Sequence, residues 1–479
     1  MRNLTMLTDL YQITMMYGYY KAGKHKEEAV YDLFFRKKSD ETNYAICAGL
    51  DQAIDLIKSI RFEEEDITYL RSLNLFGEDF LDMLRTLRFT GNVYAVPEGT
   101  VVFPMEPLVR VHAPICEAQL IETALLNIIN HQTLIATKAS RVVYAAQGDA
   151  VMEFGLRRAQ GPDAGIYGAR ASVIGGCGST SNVLAAQMFD IPPAGTQAHS
   201  WVMSFDDELA AFRAYADTYP SNCLLLVDTY NTLKSGVPNA ITVFRELREK
   251  GYKPVGIRLD SGDLAYLSKQ ARKMLDEAGF ADARIFASSD LDEHTIADLK
   301  QQGAKIDVWG VGTRLITAHD HPSLGGVYKL AASGKPGALI PKLKVSENAW
   351  KITNPGIKKI ARLYSNQDGK AIADLIMLED EVIDESKPLT IFDPVETWKS
   401  MTVEDFNVRY LMIPVFENGR QVYETPSLME IHKYAIAEKE TFWDEFLRVK
   451  RPHIYKVDLS DNLFDLKKEL LKTTKSRTK

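Results

Sequence analysis

His199 sits in the run Gly195-Thr-Gln-Ala-His-Ser-Trp201, just past a Gly/Ser-rich stretch and just before a series of apolar segments that end in Asp, Ser or Thr. An imidazole titrates near neutral pH and can serve as nucleophile or base. Set where several polar strand ends can converge on one ligand, it points to phosphate chemistry. A lone histidine in a polar loop also has a plain structural use. Its neighbours tip the balance: Thr196 and Ser200 supply hydroxyls, and Asp228, Asp260 and Asp290 follow, so a carboxylate can orient the ring.

Five further stretches carry chemistry. EFGLRRAQGPD (153–163) places Phe154 beside Arg157 and Arg158 at a strand end; stacking on the ring and guanidinium pairing suit a flat aromatic acid, although a core Phe with surface Arg is the ordinary alternative. VIGGCGSTSNVLAAQMF (173–189) is a glycine-rich loop leading into a helix opened by Ser, Thr or Asn, whose backbone donors can face an anion; it fits no Walker A pattern. In RLDSGD (258–263) the two-residue alternation of a strand puts Arg258 and Asp260 on one side. An anion binder then stands beside an acceptor for ribose hydroxyls or hydrated magnesium, with a structural ion pair as the competing reading. ASSD (287–290) and GVGTR (310–314) are turns of small residues that expose backbone amides to a phosphate. His319 and His321 in AHDHP lack helical spacing and a third ligand, so a surface loop is expected there and not a metal site.

These residues need a scaffold that brings strand ends together. From residue 151 onward apolar strands (VMEFGLR, CLLLVDTY, PVGIRLDSGD, ARIFASSD, KIDVWGVGTR) alternate with helical stretches such as VPNAITVFRELREKG, LAYLSKQARKMLDEAG and DEHTIADLKQQG. The polar ends Asp228, Asp260, Asp290 and Thr313 are separated by 32, 30 and 23 residues, the size of successive βα units, which predicts a parallel sheet. Spacing leaves an open doubly wound sheet available, but polar groups on many successive strand ends favour an irregular TIM-like (β/α) barrel. The fold class expected is therefore α/β: residues 1–130 an N-terminal α+β domain with a small antiparallel sheet, 131–345 the barrel with the active site, and 346–479 a C-terminal extension packing on the other two. Helical periodicity marks 64–88 and Cys116–Ala146, Gly91–Pro114 reads as short strands, and the lysine-rich end LKKELLKTTKSRTK is expected to be poorly ordered in its last few residues.

With 479 residues, 46% of them hydrophobic, the chain can bury a large core. A net charge of -7, from 57 basic and 64 acidic side chains, argues against general nucleic-acid or anionic-membrane binding and leaves room for a small anionic ligand. Four well-separated cysteines, Cys47, Cys116, Cys177 and Cys223, form no CxxC pair and imply reduced thiols. No signal-like N-terminus and no apolar run of membrane-spanning length is present, so a cytoplasmic location is expected.

In this order, EFGLRRAQGPD, GSTSNVLAA, GTQAHSWVMSF, IRLDSGDL, GVGTR and GGVYKL, together with LTDLYQITM and FFRK (34–37), resemble the nicotinate phosphoribosyltransferases over residues 4 to about 330. The resemblance implies the type II phosphoribosyltransferase fold and the synthesis of nicotinate mononucleotide and pyrophosphate from nicotinate and 5-phosphoribosyl 1-diphosphate, with ATP hydrolysis, in NAD salvage. It implies Mg2+ as cofactor and a homodimer with active sites at the interface. By motif position it makes His199 the transiently phosphorylated histidine and sandwiches the pyridine ring between Phe154 and a Tyr11 that reaches across the dimer. Thr196 and Arg258 then contact nicotinate with help from Arg157, Asp260 serves ribose and magnesium, and Ser288, Asp290, Gly312 and Thr313 hold the phosphoribosyl phosphate. A sister enzyme acting on nicotinamide, and a non-catalytic nucleotide-binding protein on the same fold, are the alternatives.

Overall fold

The computed structural model describes residues 3–36, 44–348 and 351–477; Lys37 of the FFRK motif lies outside them. The chain divides into two compact units, not three consecutive segments. One comprises Met1–Leu134, Ser323–Pro426 and Lys433–Lys479, and the other Ile135–Pro322 with Ser427–His432. Most of the stretch after 346 thus belongs to the same unit as the N-terminus. The expected disordered end is helical from Asp461 to Arg477, with Thr478 and Lys479 outside the described residues.

The first unit is built on an antiparallel sheet of seven strands, larger than the small sheet expected. Its order is Ala338–Pro341, Gly326–Lys335, Glu28–Phe35, Val109–Pro114, Asn92–Ala95, Ile413–Glu417, Arg420–Gln421. Glu28–Phe35 reads EAVYDLFF and is buried at every position after the first, so it lies mid-sheet, where both faces are covered. Its Leu33 faces Val109 on one side and Tyr328 on the other, and the Tyr31 and Tyr328 rings stack at 4.7 Å. A four-stranded sheet, Phe406–Tyr410, Lys358–Ser365, Ala371–Leu378, Val457–Leu459, completes the unit's main framework. At its centre Arg362, fully buried, donates to Asp374 at 2.6 and 2.8 Å, to Glu438 at 2.7 Å and to the Val101 carbonyl at 2.8 Å.

The second unit carries the alternating pattern. Six parallel strands are β1 (Ala150–Glu153), β2 (Ser179–Thr180), β3 (Leu224–Leu226), β4 (Gly256–Leu259), β5 (Arg284–Ser289) and β6 (Val308–Val311). They pair in the order β2-β1-β6-β5-β4-β3. The last strand lies beside the first, every chain neighbour is a spatial neighbour except β2 and β3, and the hydrogen-bonded ladder is open between those two. The segment after β2 enters that gap: Ala194 N–H donates to the Thr180 carbonyl at 2.9 Å, and Thr180 N–H to Pro192 at 3.3 Å. On the other side the Gln197 carboxamide, oriented to satisfy its bonds, donates to the Leu224 carbonyl at 2.7 Å and accepts from Leu226 N–H at 3.2 Å.

Helices follow the strands because capping residues stop the strand and satisfy the first free amides. Asp263 accepts from Tyr266 N–H ahead of Leu264–Glu277, and Asp292 from Thr295 N–H ahead of Glu293–Gln301. Among the described residues no helix is long and apolar enough to cross a membrane.

Arg362→Met leaves Asp374 buried without its cation and Glu438 with Arg409 alone, which costs about 3–5 kcal/mol. Arg409→Met removes a half-exposed partner of the same Glu438 and costs about 1 kcal/mol or less. Thermal unfolding of the two variants should show a much larger fall in midpoint for the first.

Candidate active site

The tips of the parallel strands enclose a cavity of about 490 Å³, lined among others by Phe154, Arg157, Thr196, Arg258, Asp260, Ser288, Asp290, Gly312 and Thr313. Of the candidates named from the sequence, Tyr11, His199, Ser200 and Asp228 are not in that wall. Tyr11 belongs to the other unit, where it sits half exposed on helix Leu10–Lys21. His199 is joined to the wall through its partners.

Arg258 organises the cavity. Its Nε donates to Ser288 Oγ at 2.8 Å, one terminal nitrogen to Thr196 Oγ1 at 2.9 Å and the other to Asp260 Oδ1 at 2.7 Å. Arg258 and Asp260 are two residues apart along β4 and its end, so the strand alternation points both the same way. Ser288, on the neighbouring β5, also donates to Asp260. Burial works against charge on Asp260, but the Ser288 hydrogen bond and the Arg258 and His199 charges outweigh it and hold the carboxyl below its ordinary value of 3.8. Its contribution to stability is therefore complete above that value and is lost only as pH falls below it.

His199 opens the short helix His199–Met203, not a free loop. Its Nδ1 is 3.1 Å from Thr229 Oγ1, and its Nε2 faces two carboxylates, Asp260 Oδ2 at 3.7 Å and Asp228 Oδ1 at 4.0 Å. Asp228 is anchored by its other oxygen, which accepts from Asp260 N–H at 2.9 Å and Ser261 Oγ at 2.6 Å. Its Oδ1 is buried without a hydrogen-bond partner. The Thr229 hydroxyl on one nitrogen and the two carboxylates facing the other hold the ring in one orientation.

The Phe154 ring lies against the Gly310 backbone: a Cβ on Gly310 would stand 2.8 Å from Phe154 Cδ2, so only glycine fits. The Arg258 guanidinium carbon is 5.7 Å from the ring centroid. The ring and the cation together form one wall for a flat anionic group. Ser288, Ser289, Asp290, Gly312 and Thr313, from the β5 and β6 tips, also line the cavity. Ser289 holds φ at +149°, a conformation L-residues rarely adopt, and such strain gathers at ligand-binding turns. Arg314 fastens this end to Asp292 at 2.6 Å.

Several participants escape a sequence reading. Ser181 and Ser289 line the cavity, but serine in a turn is too common to stand out. Glu153, wholly buried, accepts from Gly155 N–H and Thr180 Oγ1 and so ties the β1 tip to the β2 tip; burial pushes its carboxyl up. In the first unit burial pulls the Lys329 amine down, against the Glu122 charge, with smaller help from Lys344 and Arg36. His319 and His321 join no metal group. Among the described residues no cluster of three or more metal-ligating side chains exists, and Asp320 between them binds Lys138 at 2.7 Å.

A parallel-strand scaffold whose strand tips converge on one cavity around an arginine is an arrangement suited to an enzyme acting on a small anionic substrate. The comparisons specify it. Models of the nicotinate phosphoribosyltransferase N-terminal domain, family and C-terminal domain match residues 6–130, 150–340 and 357–467. The Bacillus subtilis nicotinate phosphoribosyltransferase is 48% identical over 475 residues, 99% of this chain and 96% of its own; the Homo sapiens one is 34% identical, covering 96% and 95%. The crystal structure of human nicotinic acid phosphoribosyltransferase superposes with a TM-score of 0.86 at 33% identity, over 97% of this chain and 99% of that one. The chain belongs to the nicotinate phosphoribosyltransferase family and is an enzyme of that kind, and the likeness extends past residue 330 into the C-terminal part.

The three acceptors of the Arg258 fork meet three separate nitrogens, a spread that the single nitrogen of a lysine cannot reproduce. Arg258→Lys should lower kcat/KM at least about tenfold, given the usual worth of hydrogen bonds to a charged group, as read by steady-state kinetics with an unchanged circular dichroism spectrum as control.

Proposed function

We propose that the chain joins nicotinate to the ribose of 5-phosphoribosyl 1-diphosphate, releasing pyrophosphate and forming nicotinate mononucleotide, and couples this to ATP hydrolysis through phosphorylation of His199. The observation that carries the reading is the single cavity in which Phe154, Arg258, Asp260 and the β5 and β6 tips meet. Phe154 and Arg258 suit a pyridine ring with a carboxylate, with Arg157 and Thr196 beside them. Ser288, Asp290, Gly312 and Thr313 suit the 5-phosphate. Asp260 suits the ribose hydroxyls.

In the transfer the C1–O bond to pyrophosphate breaks as the N–C1 bond forms, and C1 passes through a cation-like state. The pyridine nitrogen already has its lone pair, so no protein base removes a proton from it. The chain contributes position and charge: Arg258 fixes the ring carboxylate, and Asp260 faces the developing positive charge. The hard oxygens of Asp260 and the Oδ1 of Asp228, which has no hydrogen-bond partner, fit a hydrated Mg2+ carried with the diphosphate. When bound it would supply neutralisation of the leaving group.

His199, between Asp228 and Asp260, is placed to take the terminal phosphoryl group of ATP on one ring nitrogen. Phosphorylation brings about 1.5 to 2 negative charges to the edge of the cavity. Their loss on hydrolysis changes how tightly the site holds anions, which is a means of driving pyrophosphate release.

The strand order supports an irregular (β/α) barrel, with β6 returning to β1 and the Pro192–Gln197 segment in place of a ladder between β2 and β3. Exposed Leu7, Leu10, Tyr11 and Met15 supply an apolar patch for a homodimer in which Tyr11 covers the partner's pyridine ring. The four buried cysteines, none of them in a disulfide, suit a reducing, cytoplasmic setting.

Product analysis with 5-phosphoribosyl 1-diphosphate, Mg2+ and either nicotinate or nicotinamide, with and without ATP, tests this. Nicotinate mononucleotide formed faster with ATP is expected. Nicotinamide mononucleotide would make the chain the sister enzyme, and binding without turnover would make it a nucleotide-binding protein. His199→Ala should retain transfer but lose both ATP stimulation and acid-labile phosphate on the protein; retained stimulation would remove His199 from the coupling. Gly310→Ala, by pushing on the Phe154 ring at the cost of about 1–3 kcal/mol, should raise KM for nicotinate about tenfold.

A further inference from the structure

In the first unit, helix Asp461–Arg477 and the turn at Pro394 line a groove of about 350 Å³, none of whose residues takes part in the site above. Its floor is Pro394, Phe464 and Leu471, and its rim is Lys467, Lys468 and Lys472. On the helix these lie at spacings of three, four, seven and eight from Phe464, so they share one face. The acids Asp461, Asp465 and Glu469 repeat at four-residue intervals on another row.

The groove is preformed. Phe392 meets the Phe464 ring edge-on at 5.1 Å and 89°, which fixes one wall. The turn that holds Pro394 is closed by Asp393 N–H donating to the Lys399 carbonyl at 3.0 Å, while Asp393 Oδ1 accepts from Val395 N–H at 2.8 Å and Glu396 N–H at 2.7 Å. At this turn Val395 and Trp398 are 71% and 74% exposed.

Its charge is uncompensated. Lys467 Nζ donates to Asn354 Oδ1 at 2.8 Å, and among the described residues neither it, Lys468 nor Lys472 has a carboxylate partner. Burial and the like charge of Lys358 bring the Lys467 amine down to about 8, so an anion close to it would be stabilising. In a chain of net charge -7, three lysines around an apolar floor with no acid in the wall match a ligand that is apolar on one side and negative on the other.

We propose that this groove binds a small anionic amphiphile, its apolar body against Pro394, Phe464 and Leu471 and its carboxylate, sulfonate or phosphate head on Lys467, Lys468 and Lys472. The volume suits a small molecule, since such sites occupy about 300–1,000 Å³. The site is independent of the catalytic reading.

The probe is 8-anilinonaphthalene-1-sulfonate, titrated by fluorescence into the full-length protein with and without saturating nicotinate. Saturable one-site enhancement is expected, displaced by dodecanoate and not by nicotinate. Affinity should fall at least tenfold in the Lys468→Glu/Lys472→Glu double variant and in Lys467→Met, with transferase activity and melting temperature held as controls on folding. The proposal is overturned if no saturable enhancement occurs, if nicotinate displaces the probe, or if the double variant, folded and active, binds it within twofold of the parent.

Discussion

A guanidinium has five N–H donors in one rigid plane, and at Arg258 that plane is committed to Ser288, Thr196 and Asp260. Each of these comes from a different piece of chain, so one side chain sets the mutual position of β4, β5 and the segment after β2. The carboxylate of Asp260 is then held ionised, and His199 is placed against a fixed negative charge. Without this fork the strand tips would present the same residue types in no common geometry. The catalytic arrangement is thus a property of the bonds among the tips as much as of the sheet beneath them.

Glu153 makes the same kind of bond on the other side of the cavity. It is a buried carboxyl whose partners are a backbone amide and a hydroxyl, so its desolvation is offset without a cation. The turn that carries Phe154 and the arginines, and the turn that carries Ser181, are held together by one acceptor. Gly310 completes the fit by leaving room for the aromatic ring.

The βα grammar was readable because a parallel strand is a short apolar run and its helix opens with a capping residue, and both signals are local. Arg258 with Asp260, and Ser288 with Asp290, were readable because polar residues at the end of buried strands have few structural uses. What local pattern does not encode is partnership. Glu28–Phe35 reads as an apolar strand, yet nothing in it names Gly326–Lys335 as its neighbour, and that pairing is what brings the C-terminal stretch into the N-terminal unit. Arg362, Asp374 and Glu438 look like surface charges in a sequence and become a buried cluster only because two sheet segments and a helix close over them. The helical turn at His199 and the backbone strain at Ser289 likewise follow from tertiary contacts, not from residue type.

The gap between β2 and β3 has a dynamic meaning. A full ladder would protect its amides with a row of cooperative bonds, whereas the Pro192–Gln197 segment has two backbone bonds on one side, a carboxamide on the other and the Arg258 bond to the Thr196 hydroxyl. Thr196 lies in that segment, and His199 follows it by two residues. Amides there exchange with solvent through openings far smaller than global unfolding. In the proposed coupling, the charge on the His199 ring would change two residues beyond a segment held by few ladder bonds, where the backbone can respond without disturbing the rest of the fold.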